Sequence, residues 1–120
     1  MARVLLAEDD AAMLEMVKHA LSGDGHTVIA AQDGQEALDL LNAPGASFDV
    51  MLTDIHMPSV NGIELAGKAM ALSPQLKVIL MSAFVDGVTV PEDLKPRIAQ
   101  ILSKPLALDQ VRAAVKQAVA

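Results

Sequence analysis

The chain has 120 residues, which fits one domain and leaves no room for a second. Nine Lys and Arg against fifteen Asp and Glu give a formal net charge of -6, the wrong sign for a domain that neutralises nucleic-acid phosphates. The absence of Cys excludes disulfides and thiolate metal sites, and no run of about 18 apolar residues could cross a membrane. We therefore expect a soluble, cytoplasmic, single-domain protein that binds neither nucleic acid nor membrane.

Apolar runs alternate with amphipathic stretches along the whole chain, which is typical of a parallel sheet covered by helices on both faces. The apolar runs predict strands over residues 4–7, 27–31, 49–53, 77–81 and 98–102. The amphipathic stretches predict helices over residues 10–21, 33–42, 62–72 and 108–119. A fifth helix is doubtful, because Pro91 can open one but Pro96 prevents it from continuing far. We predict a doubly wound α/β fold with strand order 2-1-3-4-5.

Acidic side chains stand where the first and third predicted strands end. Glu8, Asp9 and Asp10 follow the first strand, and Asp54 follows the third. In the predicted order these strands are neighbours, and their carboxyl ends form the crevice in which doubly wound sheets bind ligands. Carboxylates gathered in one crevice need a compensating cation, and oxygen ligands favour a hard ion such as Mg²⁺. We interpret Asp10 as the N-cap of the first helix rather than a primary ligand.

Two further polar groups follow the last two predicted strands. Ser82 follows the fourth strand, and Lys104, directly before Pro105, follows the fifth. The groups are complementary, since acids can hold a metal or act as a nucleophile while a hydroxyl and an ammonium can bind a phosphoryl group. The pattern therefore predicts a phosphoryl site at this edge of the sheet.

With these residues identified, the sequence resembles the receiver domains of two-component response regulators, from Arg3 to about Ala118. The matching motifs, in chain order, are LLAEDD, LTDIHMPSVNG, LMSA and SKP. The resemblance implies the flavodoxin/CheY-like (βα)5 fold. It also implies a phosphoryl switch that receives its phosphoryl group from a histidine kinase or a histidine phosphotransfer protein.

The resemblance further implies a role for each acid. Asp54 would be the phospho-acceptor and would form an acyl phosphate. Asp9, Asp54 and the backbone carbonyl of His56 would bind Mg²⁺, and Glu8 would act mainly through bound water. The side chain of His56 is expected to line the mouth of the site and to tune dephosphorylation.

The same resemblance assigns the remaining groups. Lys104, joined to Pro105 by a cis peptide, would pair with Asp54 and later with the phosphate, and Ser82 would turn inward to hydrogen-bond it. The loop after Ser82 and the face formed by the doubtful helix near Pro91, the fifth strand and the helix over residues 108–119 would be the readout surface.

One position departs from the receiver pattern. Many receivers carry an aromatic residue three positions before the lysine of SKP, and here that residue is Ile101. Its side chain has no phenol and less volume to swing inward. We hypothesise that Phe84, which follows Ser82 and the small Ala83, takes over by packing into or out of the same space.

Three short features are most similar to the CpdR family: SAF at residues 82–84, the MARVLLAEDD start and the Ala-rich end. CpdR proteins are single-domain alphaproteobacterial receivers that link phosphorelay signalling to the ClpXP protease, and their unphosphorylated form is the active adaptor. The resemblance implies a receiver without an effector domain, with ClpXP as its effector partner.

Other interpretations stay open. An aspartyl-phosphate phosphatase usually needs a second acid two residues after the nucleophile, where this chain has His56. A degenerate receiver acting as a scaffold would not need the intact set of acids, hydroxyl and lysine. A receiver fragment or ancestor of a transcription regulator is a further alternative. A His metal cluster is not expected, because His19 and His26 lie far from any ligand spacing with His56.

Overall fold

The structure is a computed structural model and describes residues 2–120. Five parallel strands form one sheet in the order β2-β1-β3-β4-β5. The strands are β1 (Arg3–Ala7), β2 (Thr27–Ala31), β3 (Val50–Asp54), β4 (Lys77–Ser82) and β5 (Ile98–Ser103). Within the described residues the α-helices are α1 (Ala11–Gly23), α2 (Gly34–Asn42), α3 (Gly62–Leu72) and α4 (Leu108–Val119). The predicted fold class and strand order are confirmed.

Six elements, β1, β3, β4, β5, α1 and α2, differ from their predicted bounds by one or two residues, and the differences in β3 and α1 have a clear physical meaning. Strand β3 ends at Asp54 rather than at the residue before it, so the acid belongs to the strand. Helix α1 continues to Gly23, because the chain turns only at Gly25, which has a φ of 90°. The N–H of Asp24 then closes the helix by donating to the carbonyls of the last turn.

The doubtful fifth helix is absent as an α-helix. Residues 83–97, which we call the β4–β5 segment, contain two short 3₁₀ turns, Val85–Gly87 and Lys95–Arg97. The carbonyl of Pro91 accepts from the N–H groups of Leu94 and Lys95, but Pro96 has no N–H to continue the turn. The (βα)5 alternation is therefore incomplete, and this segment stands where the expected readout face has its doubtful helix.

The sheet divides the core into two layers. Leu5 and Met51 face the layer of α2 and α3. The next residues, Leu6 and Leu52, face the layer of α1 and α4. All five residues of β3 are buried, since the strand lies in the middle of the sheet and is covered on both faces. No helix in residues 2–120 is long and apolar enough to span a bilayer.

Candidate functional site

The predicted acids meet at the carboxyl edge of the sheet. Ala7 pairs with Thr53 in the parallel register, so Glu8 and Asp54 leave neighbouring strands at the same level. Carboxylate oxygens of Glu8, Asp9 and Asp54 all lie within 4.8 Å of one another. Glu8 is 1% and Asp54 4% exposed, whereas Asp9 faces solvent. The site is thus a cluster of three carboxylates, two of them buried and one exposed.

Lys104 supplies the cation that this cluster needs. Its Nζ lies 2.7 Å from Asp54 Oδ2 and 2.9 Å from Glu8 Oε1. The backbone N–H of Lys104 donates to the Ser82 carbonyl, which ties the end of β5 to that of β4. The Lys104–Pro105 peptide is cis, as the receiver resemblance implies. One ammonium thus bridges two carboxylates that are almost fully buried.

Burial and hydrogen bonding shift the pKa values of Glu8 and Lys104. Burial raises the pKa of Glu8 above its ordinary value, and the hydrogen bond from Lys104 opposes that rise. Burial also disfavours the charged form of Lys104, but its hydrogen bonds to Asp54 and Glu8 outweigh this effect and raise its pKa. Lys104 therefore remains an ammonium ion at neutral pH.

The backbone around Asp54 is held from several directions. The N–H of His56 donates to Asp54 Oδ1 over 3.3 Å, and the hydroxyl of Thr53 donates to the Asp54 carbonyl over 2.9 Å. Helix α3 begins so close to this strand that a Cβ on Gly62 would overlap the Asp54 carbonyl oxygen. Both the side chain and the main chain of Asp54 are consequently fixed.

Ser82 stands one residue beyond the partner of Asp54 on β4, since Asp54 pairs with Met81. It is fully buried, and its Oγ accepts a 2.9 Å hydrogen bond from the N–H of Phe84. The Phe84 side chain is 71% exposed and meets the His56 ring edge-on at a centroid distance of 6.3 Å. Phe84 thus lies at the mouth of the site and not in the core.

The family model for the response regulator receiver domain matches residues 4–116. The chain belongs to the response regulator receiver family. It is therefore a signalling domain of a two-component system, and phosphorylation at an Asp and binding of Mg²⁺ in an acidic pocket are typical of this family.

Individual relatives agree with this assignment. The receiver is 39% identical to the response regulator receiver protein CpdR of Brucella abortus (strain 2308) over 108 residues, which cover 90% of this chain and 88% of CpdR. It is 31% identical to the transcriptional regulatory protein ZraR of Escherichia coli (strain K12) over 117 residues, 98% of this chain but only 26% of ZraR. The crystal structure of the response regulator TrrA of Thermotoga maritima in complex with Mg²⁺-BeF superposes with a TM-score of 0.81, at 25% identity over 98% of this chain and 99% of TrrA.

The donor set of this receiver fits a hard divalent cation. All three side chains offer oxygen, which Mg²⁺ prefers, and within residues 2–120 no His-containing cluster offers an alternative. Glu8 already uses both oxygens, one toward Lys104 and one toward the N–H of Asp10 at 3.1 Å. Asp54 is engaged in the same way, through Oδ2 to Lys104 and Oδ1 to the His56 N–H, so the exposed Asp9 is the carboxylate of the three with the most freedom to take a metal.

Three other residues that the sequence analysis singled out, Asp10, Ala83 and Ile101, lie around the site or in the sheet beside it. Asp10 is the N-cap of α1, as predicted, and its carboxylate accepts from the N–H groups of Ala12 and Met13. Ala83 is exposed beside Phe84. Ile101 lies away from the acids, half-buried in the α2–α3 layer, two residues before the Ser103 that pairs with Ser82.

Sequence reasoning missed two features of the site. The direct Glu8–Lys104 pair was not predicted, although a Glu reaches further than an Asp at the same backbone position. The hydroxyl of Thr53 was also overlooked, and the signal for it is a polar residue in an otherwise apolar buried strand.

Proposed function

We propose that this receiver is a Mg²⁺-dependent phosphoryl-accepting switch with Asp54 as the acceptor. The observation that carries the proposal is the nearly buried Asp54 carboxylate, which shares the Lys104 ammonium with Glu8. An acid that merely capped the following helix would be bonded to that helix. Here Asn61 fills that role, since its side chain accepts from the first N–H groups of α3.

In the proposed reaction, an Asp54 carboxylate oxygen attacks the phosphorus of a phosphohistidine on a histidine kinase or phosphotransfer protein. The new O–P bond forms as the P–N bond breaks, and the ring nitrogen keeps the bonding electron pair. The product is an acyl phosphate on Asp54. Lys104, already 2.7 Å from Asp54, moves its pairing to a phosphoryl oxygen, and the Ser82 hydroxyl donates to another.

The residues proposed to hold Mg²⁺ are Asp9, Asp54 and the backbone carbonyl of His56, with Glu8 acting through bound water. The ion supplies charge neutralisation for the transferring phosphoryl oxygens. Two further roles belong to the mouth of the site. The His56 side chain tunes hydrolysis of the acyl phosphate, and Phe84 replaces the aromatic switch residue that is missing at Ile101.

Intact-protein mass spectrometry with acetyl phosphate tests the acceptor. Wild type, Asp54→Asn and the matched control Asp86→Asn, an exposed acid of the β4–β5 segment, are incubated with and without Mg²⁺. We expect a Mg²⁺-dependent phosphoryl adduct on wild type and Asp86→Asn, and none on Asp54→Asn. Rapid multiple turnover of phosphate would indicate a phosphatase, and absence of any adduct on wild type would indicate a scaffold.

For the output, we propose a stand-alone receiver whose unphosphorylated form contacts the ClpXP protease. The support is the similarity to CpdR, which covers 88% of that protein, whereas the ZraR similarity covers one part of a longer regulator. The test is retention of purified ClpX on immobilised receiver. Wild type should lose ClpX when beryllofluoride and Mg²⁺ are added, and Asp54→Asn should not. Absence of retention in every state would contradict this output and leave the acceptor proposal standing.

A further inference from the structure

The loop between β3 and α3, residues 55–61, carries the backbone part of the site. Its His56 N–H bonds the Asp54 carboxylate, and its His56 carbonyl is the proposed third metal ligand. Within this loop only the side chains of Ile55 and Val60 are buried. Ile55 is also held by backbone hydrogen bonds at both ends of the loop, so Val60 is the buried side chain whose packing can change the path of the loop.

The middle of the loop is strained. Ser59 has a φ of 68°, and the N–H of Val60 donates to the Pro58 carbonyl over 2.9 Å, which closes a three-residue γ-turn. A γ-turn with positive φ at its centre is rare, and such strain persists only where the surroundings hold it. A structural restraint must therefore lie next to Ser59.

That restraint is a contact between Val60 and the first residue of α2. A Cβ on Gly34 would lie 2.6 Å from the Cβ of Val60 and closer still to the Val60 carbonyl oxygen. Glycine is a poor helix residue, so its presence at the start of α2 needs a packing reason. The close approach of Val60 supplies that reason. At the other end of the loop, Gly62 makes the same kind of contact with Asp54.

We propose that Gly34 is a positioning residue for the metal and phosphoryl site, an inference that rests on the proposed function. The absence of a side chain on Gly34 lets Val60 pack against the first turn of α2, and this packing holds the turn at Ser59. That turn then keeps the His56 backbone beside Asp54. An alanine at position 34 displaces Val60, relaxes the turn and moves the His56 carbonyl, while Asp9, just after β1, and Asp54, at the end of β3, keep their positions.

The test measures Mg²⁺ affinity by isothermal titration calorimetry, and the His56 amide shift by NMR without Mg²⁺. Gly34→Ala should weaken Mg²⁺ binding about tenfold, the low end for residues that support metal ligands, and should shift the His56 amide. Val60→Ala, which removes the seated methyls without a clash, should do the same to a smaller extent.

Two control variants separate positioning from general destabilisation. Gly23→Ala makes the same change where no atom lies within 4 Å, and should leave both readouts unchanged. Val115→Ala opens a cavity in the α1–α4 layer and should lower stability without changing Mg²⁺ affinity.

Each outcome decides something. Wild type that binds no Mg²⁺ would overturn the proposed function and this inference with it. Wild type that binds, with Gly34→Ala binding equally well, would overturn the inference alone. If Gly34→Ala does not fold, Val60→Ala decides in the same way. A loss of affinity in Val115→Ala equal to that in the loop variants would also overturn the inference.

Discussion

The loop 55–61 and the β4–β5 segment both follow strands that end at the site, yet they are held in opposite ways. Two glycine contacts, a closed turn and an N-cap fix the short loop. The longer segment has no α-helix, and only Val90 among residues 83–97 is buried. The proposed chemistry therefore stands on tightly packed backbone, and the exposed Phe84 stands on loosely packed backbone.

This difference suits a switch. Segments with few buried contacts open at a lower free energy than the elements around them. The main polar anchor of the segment is Arg97, which lies at the end away from Phe84. The Arg97 guanidinium donates to the carbonyls of Met70, Ser73 and Leu76. We therefore expect the part next to Ser82 to move while the sheet stays intact.

The largest contrast should come from matched glycine substitutions. Gly62→Ala places a Cβ 2.7 Å from the Ile55 Cα, where only backbone could give way, and should lower the free energy of unfolding by about 3 kcal/mol. Gly87→Ala, in the segment, meets no atom within 4 Å and should change it by less than about 0.5 kcal/mol. Urea denaturation followed by circular dichroism measures both. Equal effects would remove the contrast in packing.

The next contrast concerns lysines. Lys104→Met leaves the buried carboxylates of Glu8 and Asp54 without their cation. It should cost about 2 kcal/mol, less than for a fully buried pair because the Lys104 side chain is 20% exposed. Lys95→Met removes an exposed pair with Glu92 in the segment and should cost well under about 1 kcal/mol. Both are measured by urea denaturation in Mg²⁺-free buffer, and a larger cost for Lys95→Met would contradict the assignment.

A smaller effect tests the anchor itself. Arg97→Met keeps the apolar stem and removes the donors, so it should cost about 1 kcal/mol. Hydrogen exchange should accelerate in residues 83–97 and stay unchanged in residues 55–61. Arg112→Met, the same change at an exposed ion pair with Asp24, is the control and should leave exchange in both regions unaltered.

The smallest effect lies outside both regions. Hydrogen bonds from Arg112 lower the pKa of Asp24 below its ordinary value. A lowered carboxyl pKa adds stability above the ordinary pKa, and that stability disappears as pH falls through the folded-state pKa. Thermal unfolding of Asp24→Asn should show a slightly lower melting temperature than wild type at pH 7 and a smaller difference near pH 3. Both differences should shrink in high salt.

Local signals predicted most of the fold. Period and composition placed the strands and four helices, and the position of Asp10 before α1 predicted its cap. The doubt about the fifth helix was justified, because Pro91 and Pro96 act through local backbone chemistry that a sequence displays directly. The strand order predicted that the carboxyl ends of β1 and β3 are neighbours, and this proximity predicted that the acids meet.

What stayed hidden depends on distance in the chain and on side-chain direction. The Lys104–Glu8 contact joins residues 96 positions apart, and its geometry depends on how both side chains leave their strands. The seat of Val60 on Gly34 depends on the height at which α2 crosses the loop, which no local pattern encodes. Ile101 and Phe84 were identified as unusual, but their burial could not be derived from their spacing.

The hydrogen bond from the Phe84 N–H to Ser82 Oγ has one more consequence. Because the donor is a main-chain N–H, a rotation of the Ser82 hydroxyl would displace the peptide unit of residue 84 first. The Phe84 ring would move only as a result of that displacement. In the proposed switch the signal would leave the site through the backbone, so the Phe84 ring would present the movement to a partner rather than start it. A different side chain at position 84 would then change the surface that a partner meets and leave the main-chain hydrogen bond to Ser82 in place.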